Sequence, residues 1–192
     1  DKPARDASVT FTGSSVEPVA DHPGRRVQAK KLHREIRAAI VSPTAERTFT
    51  AHTVKVTPKV TTAELGKKYP TLITVDRSNF KLTLFRNLKP VKPYPIAVGQ
   101  AGLETPAGLY TIQDKQTNPS WHVPNSDWAG DLAGTVVPGG VPENPLKARW
   151  LGIFNGAGIH GTDETYSLGH AASHGCIRMA IPDVIELYDQ VP

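Results

Sequence analysis

The only cysteine of this chain stands close to two histidines in the sequence. Cys176 follows His160 by sixteen residues and His174 by two, and Gly175 comes directly before it. A thiolate is a strong nucleophile, and an imidazole within reach can accept the thiol proton during attack. The residue types therefore suggest covalent catalysis at a carbonyl carbon. The alternative is a lone cysteine that fills a core, with histidines that serve structure only.

The glycine before the cysteine favours the catalytic interpretation. Glycine adopts backbone angles that other residues resist, and it lets a substrate approach the main chain closely. The backbone N–H groups of His174, Gly175 and Cys176 are therefore candidate donors to the negative charge that develops on an attacked carbonyl oxygen. In other enzymes one well-placed donor of this kind contributes about 3 kcal/mol.

The two histidines compete for the role of general base. His174 lies two residues from Cys176, where side chains of an extended segment point to the same side. His160 is more distant, and its imidazole needs a partner that fixes the tautomer. A backbone carbonyl near Gly161 is one such partner, and the carboxylate of Asp163 is another. The residues alone leave both questions open.

The run IHGTDETYSLGHAASHGCIRM at 159–179 resembles the signature of the L,D-transpeptidase (YkuD-like) catalytic domain. That signature is HG, a spacer, and SHGC followed by a hydrophobic residue and Arg or Asn, and every fixed position is filled. The similarity extends over roughly residues 70–192 through TPAGLYTI at 105–112, Pro119 to Pro124, Asn144-Pro145-Leu146 and Arg149-Trp150. Lys147 departs from it, because many relatives have a glycine after NPL, and this puts a local turn in doubt.

The resemblance implies a role for each residue of the motif. Cys176 is expected to be the nucleophile and His160 the general base, which leaves His174 to shape the oxyanion turn. The other residues expected to shape the site are Ser173, Gly175, Gly161 and Arg178. For Arg178 the alternatives are to steady an anionic end of the substrate or, as we expect, to hold a loop through backbone carbonyls. The residues expected to bind substrate are Tyr110, Trp121 and Arg149, with Trp128 and Trp150 as further candidates for a groove.

The resemblance also implies a reaction. Cys176 would attack the carbonyl of the third residue of a peptidoglycan stem tetrapeptide, release D-alanine and leave a thioester. An amine of a second stem would resolve it as a 3→3 cross-link, with no cofactor, and carbapenem-type β-lactams would acylate the same thiol. With water as acceptor the enzyme would be an L,D-carboxypeptidase, and a catalytically idle wall-binding module is the other alternative. A papain-like protease is disfavoured, because there the cysteine precedes the histidine.

Composition excludes several other classes. The 192 residues are 39% hydrophobic, with 17 prolines, 16 glycines and a net charge of +4. The excess charge is small and no basic run is interleaved with aromatics, so we expect no nucleic-acid partner. One cysteine excludes an intrachain disulfide, and the histidine spacing predicts no metal site. We expect a monomer that is exported to the cell envelope and anchored by a segment absent from this chain.

The pattern along the chain predicts an α+β fold in two domains. Residues 1–66 read as a small α/β module, resembling part of a peptidoglycan-binding domain, and residues 67–192 as a mainly β catalytic domain, a sandwich or meander. The elements predicted in the first part are strands at 9–11 and 49–56 and helices at 27–40 and 61–69. Those predicted in the second part are strands at 72–75, 81–85, 94–98, 108–112, 150–154 and around Ile159, a long loop at 113–149 that covers the site, and a helix from Pro182. The strand around Ile159 is expected to deliver His160 to a strand end.

Overall fold

The computed structural model describes residues 1–12 and 14–192. The chain divides into two compact units, Asp1–Pro70 and Thr71–Pro192, which are described separately below. No helix in the described part of the chain combines the length and the apolar character needed to cross a membrane.

The described residues of the first unit form short strands and two helices. Its elements are β1 (Ser8–Thr12), β2 (Ser15–Val19), β3 (Gly24–Val27), α1 (Ala29–Val41), β4 (Thr53–Val56) and α2 (Thr62–Lys68). The strands form two antiparallel pairs, β1 with β2 and β3 with β4. Helix α2 starts at the predicted capping box, in which the side chains of Thr61 and Glu64 each bond the other's backbone N–H.

Two predictions for this unit need correction. The strand expected at 49–56 is present only as β4, over Thr53–Val56. Strand β3 has the sequence Gly-Arg-Arg-Val, which lacks apolar alternation, and Val27, predicted to begin the first helix, is its last residue. A strand this short is specified by its pairing partner and not by its own pattern.

The second unit is built on one mixed sheet. Its elements are β5 (Thr71–Asp76), β6 (Lys81–Arg86), β7 (Lys89–Gly99), β8 (Asp114–Thr117), β9 (Trp121–His122), β10 (Val136–Val137), β11 (Arg149–Phe154), β12 (Ala157–Thr162), β13 (Ala171–Ser173), β14 (Ile177–Ala180) and α3 (Ile181–Gln190). The strand order is β5-β6-β7-β14-β12-β11-β8, with β13 also paired to β7, while β9 and β10 form a separate pair. Neighbours are antiparallel except for β12 with β14 and β13 with β7.

One face of this sheet carries the hydrophobic core. Helix α3 packs on β11, β12 and β14, and it begins with a proline in its first turn, as predicted. The buried cluster consists of Leu82, Leu84, Tyr94, Ile96, Val98, Leu151, Ile159, Ile177, Met179, Val184, Leu187 and Val191. The core therefore holds β12 and β14 together through one face of the sheet. The candidate site lies on the opposite face.

The predicted fold class, a mainly β domain with a short carboxy-terminal helix and a small amino-terminal module, is confirmed. The strand predicted at 108–112 is wrong. Residues 108–112 have no strand partner, Gly108 has a φ of 154°, and the Tyr110 hydroxyl donates to the nearby carbonyl oxygen of Ala107 at 2.9 Å. The sheet is continued instead by β8, which pairs with β11. His160 lies in the middle of β12 and not at a strand end.

Candidate active site

The register between two parallel strands brings the predicted residues to one face of the sheet. Ile159 pairs with Ile177 and His160 with Arg178. Side chains alternate between faces along a strand, so the two isoleucines enter the core while His160 and Arg178 share the opposite face. Cys176 directly precedes β14 and, by the same alternation, belongs to the face of His160. The pairing of β12 with β14 thus brings His160 and Cys176 together, although sixteen positions separate them in the sequence.

The thiol lies against the turn of the adjacent hairpin. The Sγ atom of Cys176 is 3.8 Å from the carbonyl oxygen of Gly156. Burial raises the pKa of the Cys176 thiol, while the backbone N–H of Gly158 and the positive charge of Arg178 act in the opposite direction. The net direction is upward, so the thiol is protonated at neutral pH.

The hairpin turn that contacts the thiol was missed in the sequence analysis, although its signal is strong. Asn155 and Gly156 stand between the paired residues Phe154 and Ala157, and their φ values are 45° and 77°. An Asn-Gly pair between two apolar runs is the commonest signature of a two-residue hairpin turn with positive φ at both positions. This turn presents the Gly156 carbonyl to the thiol.

His160 is buried and held by a backbone carbonyl. The residue is only 4% exposed, and its Nδ1 atom lies 2.7 Å from the carbonyl oxygen of Gly161. A carbonyl only accepts, so in the neutral ring Nδ1 carries the proton and Nε2 has a free lone pair. Burial lowers the pKa of His160 to about 4, an effect that the carbonyls of Gly161 and Pro145 oppose and the charge of Arg178 strengthens. The imidazole is therefore a neutral acceptor at physiological pH.

Asp163, the other predicted orienter, points elsewhere. Its carboxylate lies 2.7 Å from the Nζ atom of Lys147, and its side chain is 64% exposed. The hydrogen bond from Lys147 holds the pKa of Asp163 below its ordinary value. The structure therefore places the carbonyl of Gly161, and not Asp163, next to the His160 ring.

Lys147 has a backbone conformation that favours glycine. Its φ is 54°, a left-handed conformation that costs energy in a residue with a side chain. The Nζ atom also donates to the carbonyl oxygen of Pro142 at 2.7 Å. Lys147 thus joins the end of the long segment 113–149 to the residue after β12.

The turn before the cysteine requires glycine. Gly175 has a φ of 109°, although there is room for a Cβ atom, which would meet no atom closer than 3.6 Å. Its N–H donates to the Oγ atom of Ser173 at 3.2 Å, and that hydroxyl donates to the carbonyl oxygen of Cys176 at 2.5 Å. Of the three predicted oxyanion donors, the N–H of Gly175 is therefore already engaged, which leaves those of His174 and Cys176 as candidates.

His174 lies against the long segment. Its ring stacks on the indole of Trp128, with centroids 4.2 Å apart and planes at 9°. The residue as a whole is exposed, but partial burial of its ring, together with the charge of Arg178, lowers the pKa of His174. Trp128 belongs to a 3₁₀ segment, Asp127–Leu132. The stack connects this part of the long segment to the turn that precedes Cys176.

Arg178 holds a loop through a carboxylate, whereas backbone carbonyls were expected. Its guanidinium lies 2.7 Å from Glu164, and its side chain is only 17% exposed. Glu164 directly precedes the 3₁₀ segment Thr165–Ser167. The same guanidinium lowers the pKa values of His160 and Cys176, so it contributes positive charge to the site.

The three predicted substrate-binding residues lie in different places. Tyr110 packs on Phe154 with ring centroids 5.1 Å apart, next to the hairpin turn that contacts the thiol. Trp121 belongs to β9 in the long segment, where it pairs with Val137. Arg149 lies over the ring of Tyr188 at 5.2 Å, and alternation along β11 places it on the core face. Trp150 lies on the face of His160, so its neighbour Arg149 lies on the opposite face, towards helix α3. The structure therefore does not bring Arg149 to the thiol.

Trp150 and Asn144 support the site from two sides. The Trp150 ring lies 6.2 Å from that of His160, in the space left by Gly158, where a Cβ atom would lie 2.5 Å from the indole. The buried amide of Asn144 donates to the carbonyl of Pro119 at 2.8 Å and accepts from the N–H of Leu146 at 2.9 Å. Asn144 therefore ties the two ends of the long segment together. Within the described residues, no three His, Cys, Asp or Glu side chains are grouped to hold a metal ion.

The fold and this arrangement agree with one family. The model of the L,D-transpeptidase catalytic domain, YkuD, matches residues 70–192, which is more than half of the chain. The chain belongs to the L,D-transpeptidase catalytic domain family. A second model, described as "Putative peptidoglycan binding domain", matches residues 1–48 of this L,D-transpeptidase family member.

Two relatives are similar to this family member over somewhat more than half of its length. "Putative L,D-transpeptidase YkuD" of Bacillus subtilis is 40% identical over 112 residues, which cover 58% of this chain and 54% of that protein. "Probable L,D-transpeptidase ErfK/SrfK" of Escherichia coli is 38% identical over 108 residues, or 53% of this chain and 34% of that protein. The chain thus spans well under two thirds of the length of both.

Solved structures of L,D-transpeptidases have the same fold. The catalytic domain of the Enterococcus faecium L,D-transpeptidase acylated by ertapenem superposes with a TM-score of 0.50 and 27% identity, over 64% of this chain and 91% of that one. A crystal structure of the Enterococcus faecium enzyme gives a TM-score of 0.55 over 98% of this chain and 73% of that one. At 19% identity, this second similarity concerns the fold alone.

Proposed function

We propose that this chain is a peptidoglycan L,D-transpeptidase that forms 3→3 cross-links through a thioester on Cys176. The observation that carries the proposal is the shared sheet face of Cys176 and His160, set by the parallel register of β12 and β14. Membership in the L,D-transpeptidase family supports it. The donor is a stem tetrapeptide, and the acceptor is a side-chain amine of a second stem.

Acylation begins with a neutral thiol and a neutral imidazole. As the sulfur of Cys176 attacks the carbonyl carbon of the third residue, Nε2 of His160 accepts the thiol proton. The carbon–nitrogen bond to D-alanine then breaks, and the departing amine takes that proton from the imidazolium. The hydrogen bond from Nδ1 to the carbonyl of Gly161 keeps the lone pair on Nε2 before the attack, and it stabilises the imidazolium once Nε2 is protonated.

Backbone donors stabilise the tetrahedral intermediate. We assign this role to the N–H groups of His174 and Cys176, since the N–H of Gly175 is engaged by Ser173. Ser173 and Gly175 hold the turn in shape, and Arg178 supplies positive charge near the developing oxyanion. Tyr110, which packs on Phe154, and Trp121 in the long segment are both proposed to contact the stem.

Deacylation reverses the proton path. The acceptor amine attacks the thioester carbon while His160 takes its proton. The carbon–sulfur bond then breaks, and the leaving sulfur takes that proton from the imidazolium, which restores the neutral thiol and imidazole. Water in place of the amine makes the product a tripeptide, which defines L,D-carboxypeptidase activity. No cofactor takes part in either step.

Two further proposals accompany this function. A relative with 27% identity is described as acylated by ertapenem, and we propose that carbapenems likewise acylate Cys176. The match of residues 1–48 to a peptidoglycan-binding model supports a place in the cell wall, with residues 1–66 as the binding module and 67–192 as the catalytic domain. The monomeric state and the absence of a nucleic-acid partner remain predictions.

Mass spectrometry of reaction products tests the function. Purified stem tetrapeptides with an acetylated side-chain amine are incubated with the protein, with and without a second stem that offers a free side-chain amine. The proposal requires a cross-linked dimer and free D-alanine in equal amounts. A tripeptide that accumulates equally in both reactions would identify a carboxypeptidase. Unchanged tetrapeptide would support the catalytically idle module.

A further inference from the structure

The excess positive charge of this chain belongs to its amino-terminal unit. Residues 1–70 contain thirteen lysines and arginines and seven acidic residues, a net charge of +6. Residues 71–192 contain nine basic and eleven acidic residues, a net charge of −2. The overall value of +4 therefore combines one basic unit and one slightly acidic unit. A basic surface on one unit attracts anionic partners to that unit specifically.

Three of these basic residues form a row across neighbouring strands. Lys2 lies directly opposite Arg25 in an isolated antiparallel bridge, and Arg25 lies directly opposite Lys55 in the β3–β4 pair. Directly opposite residues project their side chains from the same face of a sheet. All three residues are exposed. The row therefore presents three cations on one surface.

The closest pair in this row is Arg25 with Lys55. The backbone N–H and carbonyl of Arg25 both bond to Lys2, at 2.7 and 2.8 Å. Both groups therefore point away from Lys55, which makes Arg25 and Lys55 a pair without hydrogen bonds, the type in which opposite side chains are nearest. Like charges in this position destabilise a sheet.

The three side chains have no paired anion within the described part of the chain. The ion pairs and side-chain hydrogen bonds among the described residues include none from the side chains of Lys2, Arg25 or Lys55. Gly24 is what allows the arrangement, since a Cβ atom there would lie 2.4 Å from the backbone of Lys2. Unpaired cations on one face attract an anionic ligand, which would supply the missing countercharge.

An open pocket adjoins the row. Its volume is about 570 Å³, and Pro23, Gly24, Arg25, Thr53 and Lys55 line it. Arginine offers a planar set of N–H donors that fits two oxygens of one carboxylate, and lysine adds a point charge beside it. The lining thus suits an anionic group of a few atoms on a longer molecule.

We propose that Lys2, Arg25 and Lys55 form a site for carboxylate groups, through which the amino-terminal unit holds peptidoglycan stem peptides. The choice of peptidoglycan rests on the proposed function and on the matched description of residues 1–48, whereas the carboxylate chemistry rests on the row and its pocket. A wall polymer with phosphodiester groups is the competing ligand, and the experiment separates the two.

Binding is measured by co-sedimentation of the whole chain with purified peptidoglycan. All proteins carry Cys176→Ala, so retention does not depend on acyl transfer, and a failure of the proposed enzyme function leaves this test intact. One sample of peptidoglycan is treated with hydrofluoric acid, which removes phosphodiester-linked polymers. A second is treated further with a carbodiimide and an amine, which converts carboxylates to amides.

A double variant is compared with a control of equal charge. Arg25→Thr with Lys55→Thr removes the closest pair, and Arg34→Ala with Arg37→Ala removes two exposed charges from helix α1. The first should weaken binding to acid-treated peptidoglycan about tenfold, and the control much less. The first should also leave the melting temperature unchanged or raised, because a repulsion is removed. Lys55→Gln, which keeps the aliphatic stem, serves if the double variant fails to fold.

The proposal requires that acid-treated peptidoglycan still binds and that its amidated form does not. Binding that is lost after acid treatment would assign the row to a phosphodiester polymer and overturn the carboxylate site. Equal losses in the two double variants would reduce the effect to net charge and overturn it as well.

Discussion

The Nδ1 atom of His160 lies 2.7 Å from the carbonyl oxygen of Gly161, the next residue in the same strand. This contact fixes the neutral tautomer without a carboxylate. Burial lowers the pKa of the imidazole to about 4 and raises that of the Cys176 thiol. The resting pair is therefore neutral, and charge separation occurs only as the thiol attacks. This differs from cysteine enzymes that store a thiolate beside an imidazolium.

The neutral resting pair predicts how alkylation depends on pH. Because the folded-state pKa of Cys176 lies above the ordinary 9.0, the rate of modification by iodoacetamide should still be rising at pH 9. Replacing His160 with alanine removes no positive charge, so the apparent pKa of the thiol should not rise. A rate that levels off near pH 7, or a pKa that rises in His160→Ala, would instead indicate a stored ion pair.

The buried imidazole also predicts a loss of stability in mild acid. The folded-state pKa of His160, about 4, lies below the ordinary 6.5, so between these values the unfolded chain binds more protons. Stability from this group is complete above pH 6.5 and should fall by about 3 kcal/mol as the pH approaches 4. Urea unfolding across this range measures it. His160→Gln should flatten the dependence, while the exposed His170→Gln should preserve it.

The ion pair of Lys147 with Asp163 separates the two candidates for orienting the base. If the carbonyl of Gly161 holds the imidazole, Asp163→Asn should change the acylation rate less than twofold and cost at most about 1 kcal/mol of stability. The rate of adduct formation with a carbapenem, followed by mass spectrometry, measures this. A loss of a hundredfold or more, on the order expected for a lost orienting group, would make Asp163 the orienter.

The positive φ of Gly175 predicts a loss of activity that is not a loss of folding. Gly175→Ala should cost about 1–3 kcal/mol from backbone strain and should slow acylation strongly, because the turn that presents Cys176 must change. Gly169→Ala is the matched control. Gly169 has a φ of 86°, and a Cβ atom there meets open space. Similar losses of stability with normal acylation in both variants would show that the turn plays no catalytic part.

Much of this structure could be predicted from local patterns. The capping box at Thr61 and Glu64, the strands around 72–75 and 81–85 and the helix beginning near Pro182 carry strong local signals, and each is present. The resemblance located the HG and SHGC motifs, and the register of β12 and β14 brings both to one face.

The rest depends on contacts between distant residues. Sequence spacing could not show that Asp163 pairs with Lys147 or that Arg178 pairs with Glu164. The residues of each ion pair are distant in sequence, and the pairing of β12 with its neighbouring strands brings them together. Arg149 was expected at the site, but only the alternation along β11 shows that it faces Tyr188 and the core. The Asn155-Gly156 turn was predictable from its two residues, and overlooking it hid the contact with the thiol.

The central claim is that Cys176 forms the acyl-enzyme with His160 as its base. The most direct test is intact-protein mass spectrometry after mixing with a carbapenem, followed by peptide mapping of the adduct. The account predicts one adduct per chain, located on Cys176, no adduct in Cys176→Ala, and a rate reduced by about 10²–10⁴-fold in His160→Ala. An adduct on another residue, or one that forms at full rate without His160, would contradict it.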